Sequence, residues 1–85
     1  MGEEVIGKVT DYFAKIGVAG IQVTAGSLSV GDTIRIKGHT SDVTLAVESI
    51  QVEHQGVQRA EAGQAIGIRV KERVRKGDSV LKVTP

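Results

Sequence analysis

The sequence predicts an all-β fold, and three features of its 85 residues point there. Apolar and polar residues alternate at period two in several stretches, the pattern of half-buried strands. Eleven glycines are spread along the chain as turn punctuation, and the single proline is Pro85. The one helix-tolerant stretch, GVQRAEAG, spans eight residues between glycines and is too short for a stable helix.

The elements follow in order. KVTDYF pairs Val9 with Phe13 across Asp11, a weak alternation. AGIQVT places Ala19, Ile21 and Val23 on one face. TIRIK turns Ile34 and Ile36 one way and Arg35 and Lys37 the other. In the segment 43–54, Val43, Leu45 and Val47 share a face while Ile50 and Val52 share the opposite one. That phase slip predicts a bulge near Glu48 and Ser49. AIGIRV aligns Ile66, Ile68 and Val70. SVLKV is ambiguous, because Val80 and Leu81 are adjacent and cannot both face inward without a twist. Six short strands joined by glycine turns predict a closed antiparallel β-barrel, since closure removes exposed sheet edges.

The length fits one domain, residues 1–85, with the barrel core at about 5–83. With no cysteine, neither disulfides nor thiolate metal sites can reinforce that core. No stretch approaches the ~20 apolar residues that span a bilayer. The start, with Glu3 and Glu4, lacks the basic and apolar regions of a signal peptide. A cytoplasmic protein with no membrane contact is expected. Eleven basic and ten acidic residues leave a net charge of +1, and Tyr12 and Phe13 are the only aromatic residues. That composition excludes the ring-stacking mode of single-strand RNA recognition. RNA contact is left to local charge and backbone shape.

Four motifs invite a chemical reading. GEEVIGKV is one residue short of a phosphate-binding loop. Nothing resembling a strand precedes it, Glu3 and Glu4 would repel phosphate, and Val9 stands where magnesium needs a hydroxyl, so no nucleotide is expected. GHTSD gathers His39, Ser41 and Asp42, but consecutive loop residues cannot align as a relay. His39 and His54 lack further ligands for a metal. VKERVRKGD concentrates Lys71, Arg73, Arg75 and Lys76 and reads either as a phosphate-contacting patch or as a solvated loop. Arg35 and Lys37 extend that candidate patch. VGDTIRIK and KGDSVLKV echo each other, while Gly31 and Gly63 each open a strand through a turn. No catalytic residue, metal ligand or cofactor is assigned.

The order GKVTDYFAKIGVAGIQVTAGSLSVGDTIRIKG, VESIQVEHQGVQRAEAGQAIGI and RKGDSVL resembles domain 2 of the translational GTPases, the elongation factor Tu type. YFAKIGVAGI and IKGHTSD resemble most closely the short standalone translation-elongation-factor-like proteins. A similar barrel ends some members of a collagenase-like peptidase family that act in tRNA modification. The resemblance implies a six-stranded barrel without its GTPase domain. It also implies a pocket for the aminoacylated 3′ end of tRNA on the strand matching VESIQVEH. Glu48 keeps that pocket's carboxylate, whereas Ile50 replaces an aromatic and Gln51 an arginine.

The expected function is a non-catalytic binding module, docking on tRNA, rRNA or a protein of the translation or tRNA-modification apparatus. Lys71, Arg73, Arg75 and Lys76 would make the phosphate contacts. The alternatives are an accessory subunit of a larger enzyme without RNA contact, or an isolated or engineered barrel with no activity of its own.

Overall fold

Alternation in the sequence becomes ten β-strands in a computed structural model that describes residues 2–53 and 55–84. The first five are β1 (Gly2–Phe13), β2 (Val18–Val23), β3 (Ser27–Ser29), β4 (Thr33–Lys37) and β5 (Asp42–Ala46). They are followed by β6 (Ile50–Val52), β7 (Gln55–Val57), β8 (Arg59–Glu61), β9 (Ala65–Arg69) and β10 (Ser79–Thr84). Eight of them form one antiparallel sheet in the order β5-β4-β10-β1-β2-β9-β6-β7, and β3 pairs with β8 in a second sheet. Among the described residues there is no helix, and so none long and apolar enough to cross a membrane.

The expected closed six-stranded barrel is corrected on two counts. First, no ladder joins the edge strands β5 and β7 among the described residues. Single backbone bonds bridge that gap instead. Gly31 N–H donates to Val47 C=O (2.9 Å), and Val47 N–H donates to Asp32 C=O (2.8 Å). Val30 N–H donates to Gln58 C=O (2.9 Å). Residues 30–32 thus tie the chain just after β5 to the chain just after β7. Second, the phase slip in 43–54 is a strand break, not a bulge. Val43 and Val47 are buried in and just after β5, which pairs with β4, while Ile50 is buried in β6, which pairs with β9 and β7. The same alternation serves two distant parts of one sheet. Strands β3, β7 and β8, of three residues each, are too short for periodicity to reveal.

The core is entirely aliphatic. Ile6, Ile21, Leu28, Ile34, Ile36, Ile50 and Ile68 are almost completely buried, and valines and alanines fill between them. Each such Ile or Leu contributes about 1.5–3 kcal/mol relative to exposure. β1 is bent to follow the curvature. Its pairing with β10 shifts register between Val5 and Gly7, and its pairing with β2 shifts between Val9 and Asp11. The first shift turns Ile6 inward and leaves Val5 half exposed. Gly7 is required there, because a Cβ would lie 2.5 Å from the Gln22 carbonyl oxygen. The ambiguity in β10 resolves with Val80 inward and Leu81 half-buried on the outer face.

The echo noted between two Gly-Asp sequences is a repeated turn, and it occurs three times. In 29–32, 61–64 and 75–78 the third residue is a glycine with φ of 99°, 96° and 94°, the position where this turn demands positive φ. In each, the fourth N–H donates to the first C=O (3.0–3.2 Å). The fourth side chain returns the bond. Asp32 accepts from Ser29 N–H (2.8 Å), Gln64 from Glu61 N–H (2.7 Å) and Asp78 from Arg75 N–H (2.9 Å). Each turn launches a strand, β4, β9 and β10 in turn.

Candidate functional site

The sequence-predicted motifs are placed by these strands. GEEVIGKV lies within β1, where Gly2–Val5 pair with β10 and Gly7–Val9 with β2. It is neither a loop nor the start of a helix. The parts of GHTSD diverge: His39 is exposed, Ser41 is buried, and Asp42 is held by Arg35. His54 lies outside the described residues. Among those described, no three His, Cys, Asp or Glu side chains converge to hold a metal. Glu48 is exposed in the crossover between β5 and β6.

The candidate cationic patch divides. Arg35 is engaged on the outer face of β4. Its Nε and Nη2 donate to the two oxygens of Asp42 (both 2.8 Å), and Nη1 donates to Glu3 (3.1 Å). The bidentate hydrogen bond holds the Asp42 carboxyl below its ordinary value, and the same contacts hold the guanidinium above its own. Arg35 is thus engaged by two carboxylates, which sets it apart from the other members of the candidate RNA-contacting set. Lys37 stays in that set, since it shares a shallow depression with His39 and Gly77 at the start of β10.

Lys71, Arg73, Arg75 and Lys76 are all exposed on the connection from β9 to β10, and none is in an ion pair among the described residues. That connection is held from beneath. Val70 and Val74 are buried, and Val70 N–H donates to Gly17 C=O (2.8 Å). Gly77 N–H donates to Val9 C=O (2.8 Å). Asp78, buried, closes the turn, and a Cβ at Gly38 would collide with its carboxylate.

A second feature adjoins this connection, and the sequence reading missed it. The β1–β2 hairpin leaves Phe13 51% and Ile16 62% exposed, in a chain that otherwise buries most of its aliphatic side chains. Beside them, Gly20 of β2 pairs with Gly67 of β9, and Gly67 pairs with Gln51 of β6. Two glycines abreast leave the outer face bare of side chains. The result is an open cleft of about 360 Å³, walled by Phe13, Ile16 and Val18 and also lined by the exposed carboxylates Asp11 and Glu53. A smaller depression of about 290 Å³ continues from it to Arg69. The signal was present: AKIG follows Phe13 and places an isoleucine in the turn between two strands, where no strand face could bury it.

The described residues thus form a small all-β domain with an open cleft beside cations that have no ion-pair partner among them. No family model matches the chain. It is 42% identical over 78 residues to a collagenase of Porphyromonas gingivalis, covering 91% of this chain and 22% of the collagenase. It is 38% identical over 76 residues to an uncharacterized protease of Methanocaldococcus jannaschii, covering 88% of this chain and 18% of that protein. The chain thus spans about a fifth of the length of these curated relatives. Its fold is that of the C-terminal domain of a Geobacillus thermoleovorans protein assigned to the U32 peptidases, with a TM-score of 0.87 at 23% identity. That match covers 95% of this chain and 93% of the solved domain.

These similarities correct the assignment to domain 2 of the translational GTPases and to standalone elongation-factor-like proteins. The sequence similarity runs to peptidase-named proteins. The residues that carried the earlier resemblance are the glycine turns and the inward aliphatics, which encode a strand order and not a lineage.

Proposed function

We propose that the chain is a non-catalytic accessory domain of a larger U32-peptidase-type protein, acting by docking. One observation carries this reading: at 42% identity the match covers nearly all of this chain but only 22% of the collagenase. The unit preserved is therefore a domain, and most of the relative's length, with whatever chemistry it performs, lies elsewhere. The side chains agree. Asp11, Glu53 and Thr10 line the shallow glycine-floored cleft, but among the described residues no histidine, cysteine or serine lines it to build a relay with them.

Two experiments test the reading. The purified 85-residue chain is expected to show no hydrolysis of gelatin, and turnover lost on mutating one of its own residues would overturn the non-catalytic part. Affinity capture on the immobilised chain, with and without nuclease, addresses docking. A peptidase-type protein retained after nuclease treatment supports it. Retention of nothing but nuclease-sensitive material would overturn it in favour of an RNA partner.

A further inference from the structure

We infer that the tip of the β1–β2 hairpin and the start of the β9–β10 connection form one docking surface for a protein segment that is apolar at its centre and acidic at its rim. The inference rests on the accessory-domain reading and names the chemistry of the partner.

Contiguity comes first. The Val70 N–H to Gly17 C=O bond fastens the hairpin turn to the connection, so Ile16 and Lys71 are each one residue from the same hydrogen bond. Arg69 lines the same depression as Ile16 and Val18. Exposed Phe13 and Ile16 are thus flanked by Lys15, Arg69 and Lys71, with Arg73, Arg75 and Lys76 following along the chain.

Charge argues for the occupant. Those six side chains are more than half of the chain's eleven Lys and Arg residues. None of the six is ion-paired among the described residues, whereas Arg35, Arg59 and Lys82 all are. Asp11 and Glu53 line the cleft itself, but neither is ion-paired among the described residues, and no described carboxylate lines the depression that reaches Arg69. Asp78 is buried and turned to Arg75 N–H, leaving Glu72 as the one exposed acid between Arg69 and Gly77. A partner with carboxylates at the margin would be attracted and oriented by this field. The centre discriminates protein from nucleic acid. Phe13 and Ile16 offer large apolar anchors beside a backbone-floored cleft, the arrangement in which a buried aliphatic or aromatic side chain of a protein partner gains most. Nucleic acid would use the cations and leave Ile16 in water, and a single ring is a poor platform for bases.

The test is an NMR titration of the 85-residue chain with a synthetic amphipathic peptide of Leu and Glu residues. The same peptide with Lys for Glu and a short single-stranded RNA serve as comparisons. The Leu/Glu peptide is expected to shift the amides of Phe13–Val18 and Arg69–Arg73. Phe13→Ser with Ile16→Ser, or Arg69→Glu with Lys71→Glu, should each weaken it by about tenfold, with the amide spectrum otherwise folded. Equal binding by the Lys peptide, tighter binding by the RNA, shifts confined to other strands, or no binding would each overturn the inference. Failure here, with a peptidase-type protein still captured by the immobilised chain, leaves the accessory reading standing and removes this surface. Binding here without such capture does the reverse.

Discussion

The outer face of β10, β4 and β5 and the end formed by the hairpin tip and the β9–β10 connection treat their arginines in opposite ways. On the first, Arg35 is satisfied by Asp42 and Glu3. On the second, Phe13 and Ile16 stand out with six cations that have no ion-pair partner among the described residues. Yet the second region is not loose. Val70, Val74 and Asp78 pin its backbone from below. The contrast teaches that composition alone misdirects. A net charge of +1 conceals one face where an arginine is held by two carboxylates and one end where six cations have no ion-pair partner among the described residues.

The contrast can be broken from beneath. Val74→Asp puts a carboxylate where 1% of the residue is exposed. Burial of an unpaired charge should cost more than about 3 kcal/mol, read as a large fall in melting temperature. An unchanged melt would mean the connection is not anchored by Val74. Removing the turn acceptor is milder. Asp78→Ala leaves the Arg75 N–H without its side-chain partner and should cost about 1–3 kcal/mol in chemical denaturation, with Asp78→Asn recovering much of it.

The exposed anchors should behave differently again. Phe13→Ser and Ile16→Ser should leave stability within about 0.5 kcal/mol, because little is buried, so any loss of partner binding is a surface effect. A large destabilisation would show that these side chains are structural. On the paired face, Arg35→Gln should scarcely move the melt at neutral pH. It should release the Asp42 carboxyl, whose NMR titration midpoint should move up toward the ordinary carboxylate value. The sign follows from the lowered value in the folded state. The pair's contribution is present at neutral pH and is lost as pH falls through the carboxylate range, from about pH 5 downward. The wild type should therefore lose slightly more stability on acidification than the variant, and the reverse order would contradict the pairing.

Much of the fold was legible in the sequence. Ile34 with Ile36, and Ile66 with Ile68, announced β4 and β9 through alternation, and glycine followed by a hydrogen-bonding side chain marked the turns. The third copy of that turn, Glu61–Gln64, was hidden because glutamine replaces aspartate while making the same bond. That the sheet would stay open was not legible: no ladder joins β5 and β7 among the described residues, and the isolated hydrogen bonds of residues 30–32 that link their ends leave no periodic trace. The break between Val47 and Ile50 was visible as a phase slip, but a bulge and a strand change give the same pattern.

The site was half legible. The cation run from Lys71 to Lys76 could be read directly, but not Arg35's engagement with Asp42 and Glu3, which needs the register of β1, β10, β4 and β5. The Phe13–Ile16 patch was masked because KVTDYF read as a strand with Phe13 on Val9's face. The register shift between Val9 and Asp11 uncouples those two residues, leaving Val9 buried and Phe13 outside.

The central claim, that this chain acts by docking through the hairpin end, is tested most directly by photo-crosslinking from two positions in cells. One chain carries p-benzoylphenylalanine in place of Ile16, and the other carries it in place of Thr44, which is exposed opposite Arg35 in β5. The account predicts a nuclease-resistant cross-link from position 16 to an acidic, apolar segment of a peptidase-type protein, and little from position 44. Equal cross-linking from both positions, or cross-linking from position 44 alone, would contradict it.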